Sequence, residues 1–265
     1  MDLLKLTSFQ AANADFVCQA VAGYIAKRLG IPTQFINNIA WQERERLFEI
    51  GEIQVSWLCG LSYVWKADQE NPRLELLVAP VMQPARYQNR PIYFSDVVVH
   101  RHSDFYTFAD LQGASWAYNE PYSQSGYNIT RYHLARLGKT SGYFGQVIEA
   151  GAHQTALEMI LKRQVDASAI DSTVLELELQ HRPDLADQVR IIETLGPSPI
   201  PPWVILKRAP QELRTALGAS LLEMHQDPEG RVILAAGQMA RFVRVEDRDY
   251  DPIREMAQKA ETVIL

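Results

Sequence analysis

The run Tyr118-Asn119-Glu120-Pro121-Tyr122-Ser123-Gln124-Ser125-Gly126-Tyr127 sets two hydroxyls and a glycine where a loop turns into a helix. From Tyr127 onward Thr130, Leu134 and Leu137 recur at helical spacing and Gly138 supplies a C-terminal stop. Ser123 and Ser125 therefore fall at or beside the N-cap. The first-turn N–H groups of such a terminus, with about half a positive charge behind them, suit an oxyanion. Gly126 lacks the side chain that would hold a tetrahedral anion off the backbone. The same residues also make an ordinary serine-capped helix, so the choice between the two readings rests on what surrounds them.

Two other groupings could do chemistry. Cys59, His153 and Asp171 supply the residue types of a nucleophile, a base and an orienting acid. The turn at Cys59 has nothing beyond a helix start to lower a thiol pKa, and apolar Trp57-Leu58 precedes it. No catalytic residue is assigned, and no cofactor. His100 and His102 stand on one side of an extended segment and could chelate a metal, but no third ligand is near in sequence. No metal is assigned.

The elements that must position these residues alternate. Leu3 to Phe9 reads as a strand, with Met1-Asp2-Leu3 leading straight into it; Phe16 to Leu29 carries one apolar helical face ending at Gly30. Pro32–Ile36, Ile53–Leu58 and Leu74–Val81 are strands separated by helices over Ala40–Ile50 and around Ser62–Lys66. After the long β segment Ile92–His100 the pattern restarts: strand Ser115–Tyr118, helix Ser123–Leu137, extended Gly142–Ile148, helix His153–Arg163, strand Val165–Ile170. Strands and helices alternating at these lengths predict a mostly parallel α/β sheet. Gly51–Leu58 and Arg163–Ile170 both drop a strand directly after a helix, which suggests two similar lobes.

Pro197, Pro199, Pro201 and Pro202 forbid helix and force extended backbone before the strand Trp203–Leu206. Helices at Pro210–Met224, Pro228–Ala236 and Pro252–Val263 close the chain. Two crossings, at Ile92–His100 and Pro197–Leu206, then divide the molecule into lobe one (1–93 plus 203–265) and an inserted lobe two (94–202). A ligand cleft is expected between them, lined at the strand ends by Cys59–Tyr63, Tyr93–Ser95, Ser123–Gly126 and Asp171.

The 265 residues are 47% hydrophobic and 22% charged, ample for a core. A formal net charge of −6 with no long basic run excludes a nucleic-acid footprint. No apolar run approaches the ~20 residues of a membrane helix. Two cysteines make neither a disulfide framework nor a Cys-rich metal site.

Ser123-Gln124-Ser125-Gly126, Gly151-Ala152-His153-Gln154-Thr155-Ala156-Leu157 and Val165-Asp166-Ala167-Ser168-Ala169-Ile170-Asp171 stand in order with Tyr93-Phe94-Ser95, Asp110-Leu111-Gln112-Gly113 and the proline run. Together they resemble the phosphate/phosphite/phosphonate substrate-binding proteins of ABC transporters. The resemblance covers nearly the whole chain. It implies a two-lobed type 2 periplasmic-binding-protein-like α/β fold with a double β crossover hinge. It further implies that Tyr93, Ser123, Ser125, Gly126 and His153 hold the anion's oxygens, that Asp171 serves a ligand amine or stands one layer behind, and that Tyr63 forms a wall. Gln124, within the ligand-binding run, replaces the small hydroxyl residue usual in that family, and Gln54-Val55-Ser56 lacks an acidic residue common there. These departures bear on which anion is bound.

The expected function is capture of a small phosphorus oxyanion by a monomeric solute-binding protein and its delivery to a membrane permease, without chemistry. The location is periplasmic or extracytoplasmic if an export signal has been removed, cytoplasmic if Met1 is the native start. The alternatives are an enzyme on the same fold and a ligand sensor without a transport role. An anion site without Arg or Lys is energetically sufficient. Micromolar affinity is about −8 kcal/mol, and hydrogen bonds to a charged group are worth about 1.5–3 kcal/mol each.

Overall fold

The computed structural model describes residues 3–265; Met1 and Asp2, where the first strand was expected to begin, lie outside the described residues. The chain divides into two compact units, Met1–Ile92 with Pro199–Tyr250, and Tyr93–Ser198 with Asp251–Leu265.

In the first unit the strands are β1 (Leu4–Ser8), β2 (Thr33–Ile36), β3 (Val55–Trp57), β4 (Leu74–Met82), β10 (Trp203–Leu206) and β11 (Met239–Val243). They form one sheet in the order β11-β4-β10-β3-β1-β2. Helices α1 (Asp15–Leu29), α2 (Trp41–Ile50), α3 (Gly60–Ala67), α7 (Gln211–Glu223) and α8 (Pro228–Ala236) complete it. Gly30 and Gly51 end α1 and α2 in the left-handed conformation, where a side chain is strained.

The second unit holds β5 (Ile92–His100), β6 (Ser115–Tyr118), β7 (Gln146–Glu149), β8 (Ala167–Asp171) and β9 (Val189–Pro199), in the order β7-β6-β8-β5-β9. Its helices are α4 (Ile129–Arg136), α5 (His153–Leu161), α6 (Ser172–His181) and α9 (Asp251–Lys259). β5 is apolar at successive positions because its sheet is covered on both faces. Val97 and Val99 pack with Trp116, Ile129, Leu134 and Met256, while Val98 packs with Leu157, Ile160, Ile170 and Leu175.

Both sheets are mixed, which corrects the mostly parallel expectation. β1 pairs parallel with β2 and β3, and β6 with β7 and β8, but β10 and β5 enter antiparallel beside β3 and β8. Each sheet thus repeats a parallel triad with its first strand in the middle and an antiparallel neighbour on the third. Gly51–Leu58 and Arg163–Ile170 lead into the corresponding strands β3 and β8, as their likeness suggests.

The last helix also departs from expectation. Asp251–Leu265 clusters with the second unit rather than the first, because Met256 and Val263 complete its core and Arg131 of α4 binds the carbonyls of Ala260, Glu261 and Val263. No helix among the described residues is long and apolar enough to cross a membrane.

Candidate oxyanion site

β6 ends at Tyr118, and the chain turns through Asn119 to Ser123 into a π-helical turn, Gln124–Asn128, that runs on into α4. Ser123 caps the turn: its Oγ accepts from the Gly126 N–H at 3.0 Å. The Oγ atoms of Ser123 and Ser125 lie 3.4 Å apart, and Ser125 Oγ lies 2.9 Å from His153 Nε2. His153 opens α5, so two separate helix starts converge. Ser123, Ser125 and His153 are all buried, with His153 only 5% exposed. Burial disfavours the imidazolium and pushes the His153 pKa down to about 4.

Gly126 is required for a reason other than access to its amide. A methyl on its Cα would stand 2.0 Å from Asn119 Oδ1 and 3.1 Å from His153 Cε1, so those two side chains already fill the space above the glycine. Its N–H is given to Ser123.

Gln124 is fully buried and turns inward. Its Oε1 accepts from Asn128 Nδ2 at 2.7 Å, and its Nε2 donates to Ser198 Oγ and to Met256 Sδ, each at 3.2 Å. The side chain ties the π-helical turn to β9 and α9 and is not brought to the Ser125–His153 pair.

Asp171 ends β8, which packs against the π-helical turn. Its Oδ1 accepts from the Thr173 N–H at 2.8 Å and from Thr173 Oγ1 at 2.7 Å, capping α6. Burial raises its pKa to about 6, against the lowering effect of those hydrogen bonds. Directly across the β5–β8 pair stands Ser95, whose buried Oγ has no partner. Tyr93 is buried at the start of the same β5 strand. Tyr63 belongs to the first unit, where its hydroxyl donates to Asp247 Oδ1 at 2.8 Å and its ring lies 4.7 Å from that of Tyr250.

Among the other residues considered, Cys59 precedes α3 and belongs to the first unit, whereas the Ser125–His153 pair belongs to the second. His100 Nδ1 accepts from the His102 N–H at 3.1 Å, and no cluster of three or more His, Cys, Asp or Glu among the described residues could hold a metal ion. Asn119 went unread in the sequence. It is the first residue beyond the carboxyl end of β6, the position where open α/β sheets present ligand-facing groups, and that was the available signal.

The model of the ABC-transporter phosphonate periplasmic substrate-binding protein family matches residues 7–250. The chain belongs to this family. Among solved structures, PhnD1 from Prochlorococcus marinus in complex with methylphosphonate aligns with a TM-score of 0.85 at 18% identity, over 99% of each chain. A binding protein component of an ABC phosphonate transporter from Pseudomonas aeruginosa aligns with a TM-score of 0.85 at 16% identity, over 98% of this chain and 87% of that one. A Xanthomonas citri protein bound to ATP aligns at 0.74 with 14% identity over 98% of both chains. At these identities the likeness establishes a shared two-lobed binding-protein fold.

Proposed function

We propose that this protein binds a small phosphorus oxyanion of the phosphonate, phosphite or phosphate class and hands it to an ABC-type membrane permease outside the cytoplasm, as a monomer and without catalysis. The observation that carries the reading is the buried hydroxyl run of Ser123 and Ser125 against His153, in a chain of this family. Both hydroxyls sit at the start of a helical segment, and neither is committed to an ion pair. An anion arriving there finds donors and no fixed counter-charge, so geometry rather than point charge selects it.

Ser123, Ser125, His153 and Tyr93 are the groups proposed to hold the oxygens, and Gly126 is proposed to serve the site by leaving room for Asn119 and His153 and by donating its N–H to Ser123. Asp171, already engaged as a helix cap, is proposed to face the far substituent of an amine-bearing ligand. Gln124 is proposed to act through the shape of the turn, and Tyr63 as a wall residue.

Thermal denaturation with methylphosphonate, phosphite, phosphate and sulfate tests the reading. A bound ligand at 100 times its dissociation constant adds about 2.7 kcal/mol of stability. A phosphorus oxyanion should raise Tm and sulfate should not, and Gly126→Val, which displaces Asn119 and His153, should abolish the rise. No shift with any phosphorus oxyanion would overturn it.

A further inference from the structure

Two buried polar atoms beside Gly126 have no hydrogen-bond partner, His153 Nδ1 and Asn119 Oδ1. Their side chains are 5% and 8% exposed. Both side chains border one space: a methyl on Gly126 would lie 2.0 Å from Asn119 Oδ1 and 3.1 Å from His153 Cε1, the ring carbon between Nδ1 and Nε2. A neutral imidazole carries one N–H and one lone pair, so whichever atom binds the proton fixes the role of the other.

The remaining hydrogen bonds choose between the two arrangements. Gly126 N–H can only donate, and it donates to Ser123 Oγ. If Ser123 then donates to Ser125, and Ser125 to His153 Nε2, the imidazole proton sits on Nδ1 and needs an acceptor there. Asn119 Oδ1 is such an acceptor. In the reverse direction His153 Nε2–H donates to Ser125 and Ser125 to Ser123. The Ser123 proton, the Nδ1 lone pair and Asn119 Oδ1 are then all left unmatched. Leaving buried polar groups unmatched costs about 1–3 kcal/mol each, which decides for the first direction.

We propose that Asn119 is the positioning residue of His153. Its carbonyl oxygen, through one ordered water, accepts the Nδ1 proton and thereby makes Nε2 the acceptor of the Ser125 hydroxyl. The chain of donors runs Gly126, Ser123, Ser125, His153, Asn119. An oxyanion competes for the two serine hydroxyl protons. When it takes them, Nε2 loses its donor while Asn119 still holds Nδ1–H, so the ring fills Nε2 by taking up a proton. This last step rests on the function proposed above; the tautomer does not.

Nitrogen NMR of histidine-labelled protein reads the tautomer directly. Without ligand, His153 should carry its proton on Nδ1 with Nε2 bare. Asn119→Leu, which removes the acceptor at similar volume, should move the proton to Nε2, and Asn119→Asp should restore it to Nδ1. Wild-type His153 found as the Nε2–H tautomer, or an unchanged tautomer in Asn119→Leu, overturns the proposal; the wild-type spectrum alone decides if the leucine variant fails to fold. With methylphosphonate added, both wild-type ring nitrogens should be protonated, and Asn119→Leu should bind about tenfold more weakly, the equivalent of one hydrogen bond. An Nδ1–H tautomer without methylphosphonate binding would leave Asn119 in its role and remove the ligand reading. Binding of methylphosphonate by Asn119→Leu with wild-type affinity, and no second ring proton in the wild type, would overturn the coupled proton uptake.

Discussion

His153 and Asp171 are both buried, and burial moves their proton affinities in opposite directions. For His153, with a folded pKa of about 4 against 6.5, the unfolded chain binds the proton first. Its stabilising contribution is complete above about pH 6.5 and is lost as pH falls toward 4. For Asp171, with a folded value of about 6 against 3.8, the folded chain binds the proton first. That contribution is complete below 3.8 and is lost as pH rises through 6. Each displacement is worth on the order of 3 kcal/mol at full effect, so across pH 4–6 the two slopes oppose. Relative to wild type, His153→Gln should gain stability at pH 4.5 over pH 7, and Asp171→Asn should gain at pH 7 over pH 4.5, by urea denaturation. Curves parallel to wild type would show that neither group titrates as its burial dictates. That Ser123, Ser125 and His153 come together was implied by the family resemblance their motifs carry. Asn119 was not, because its interest lies in an unmatched atom that only the folded chain reveals. The inward turn of Gln124 was not legible for a related reason: a polar residue within a polar run gives no sign of which way its amide points.

The π-helical turn and α4 form the element on which the site depends, and α4 is braced from behind. Arg131 donates from Nε to Val263 O at 2.7 Å and from Nη2 to Ala260 O at 2.7 Å and Glu261 O at 3.0 Å. It thus holds the end of α9, where carbonyls carry the negative pole of the helix. Arg131→Met should lower unfolding free energy by about 2–4 kcal/mol and expose the segment after Lys259 to protease. Arg248→Met, which breaks an exposed pair with Glu246, should change stability by no more than about 0.5 kcal/mol. Equal effects of the two would refute the bracing role. Helix starts were readable where Ser or Pro marks them, as at Ser123 and Pro228. β11 and the first half of β9 were passed over, because short strands with mixed polarity lack a period to read. Trp57 and Trp203 stack 5.8 Å apart in the first unit's core; aromatic identity in a sequence does not distinguish a core residue from a ligand wall.

At the scale of the whole molecule, alternation of strand and helix was enough to read an α/β chain with two similar halves. Strand direction was not, since parallel and antiparallel neighbours leave the same period of two along a buried strand. Nor could apolar spacing in the last helix say which unit its face would join. That helix makes the number of chain passages between units three, at Ile92/Tyr93, Ser198/Pro199 and Tyr250/Asp251. The number then matters: two passages would make the second unit a cassette that a single cut-and-replace could exchange, whereas three split it into two pieces. A chimera that takes only residues 93–198 from a family relative would set a foreign core against the native Met256 and Val263. Recombination at all three passages, exchanging 93–198 and 251–265 together, should recover the melting temperature that the one-segment chimera loses.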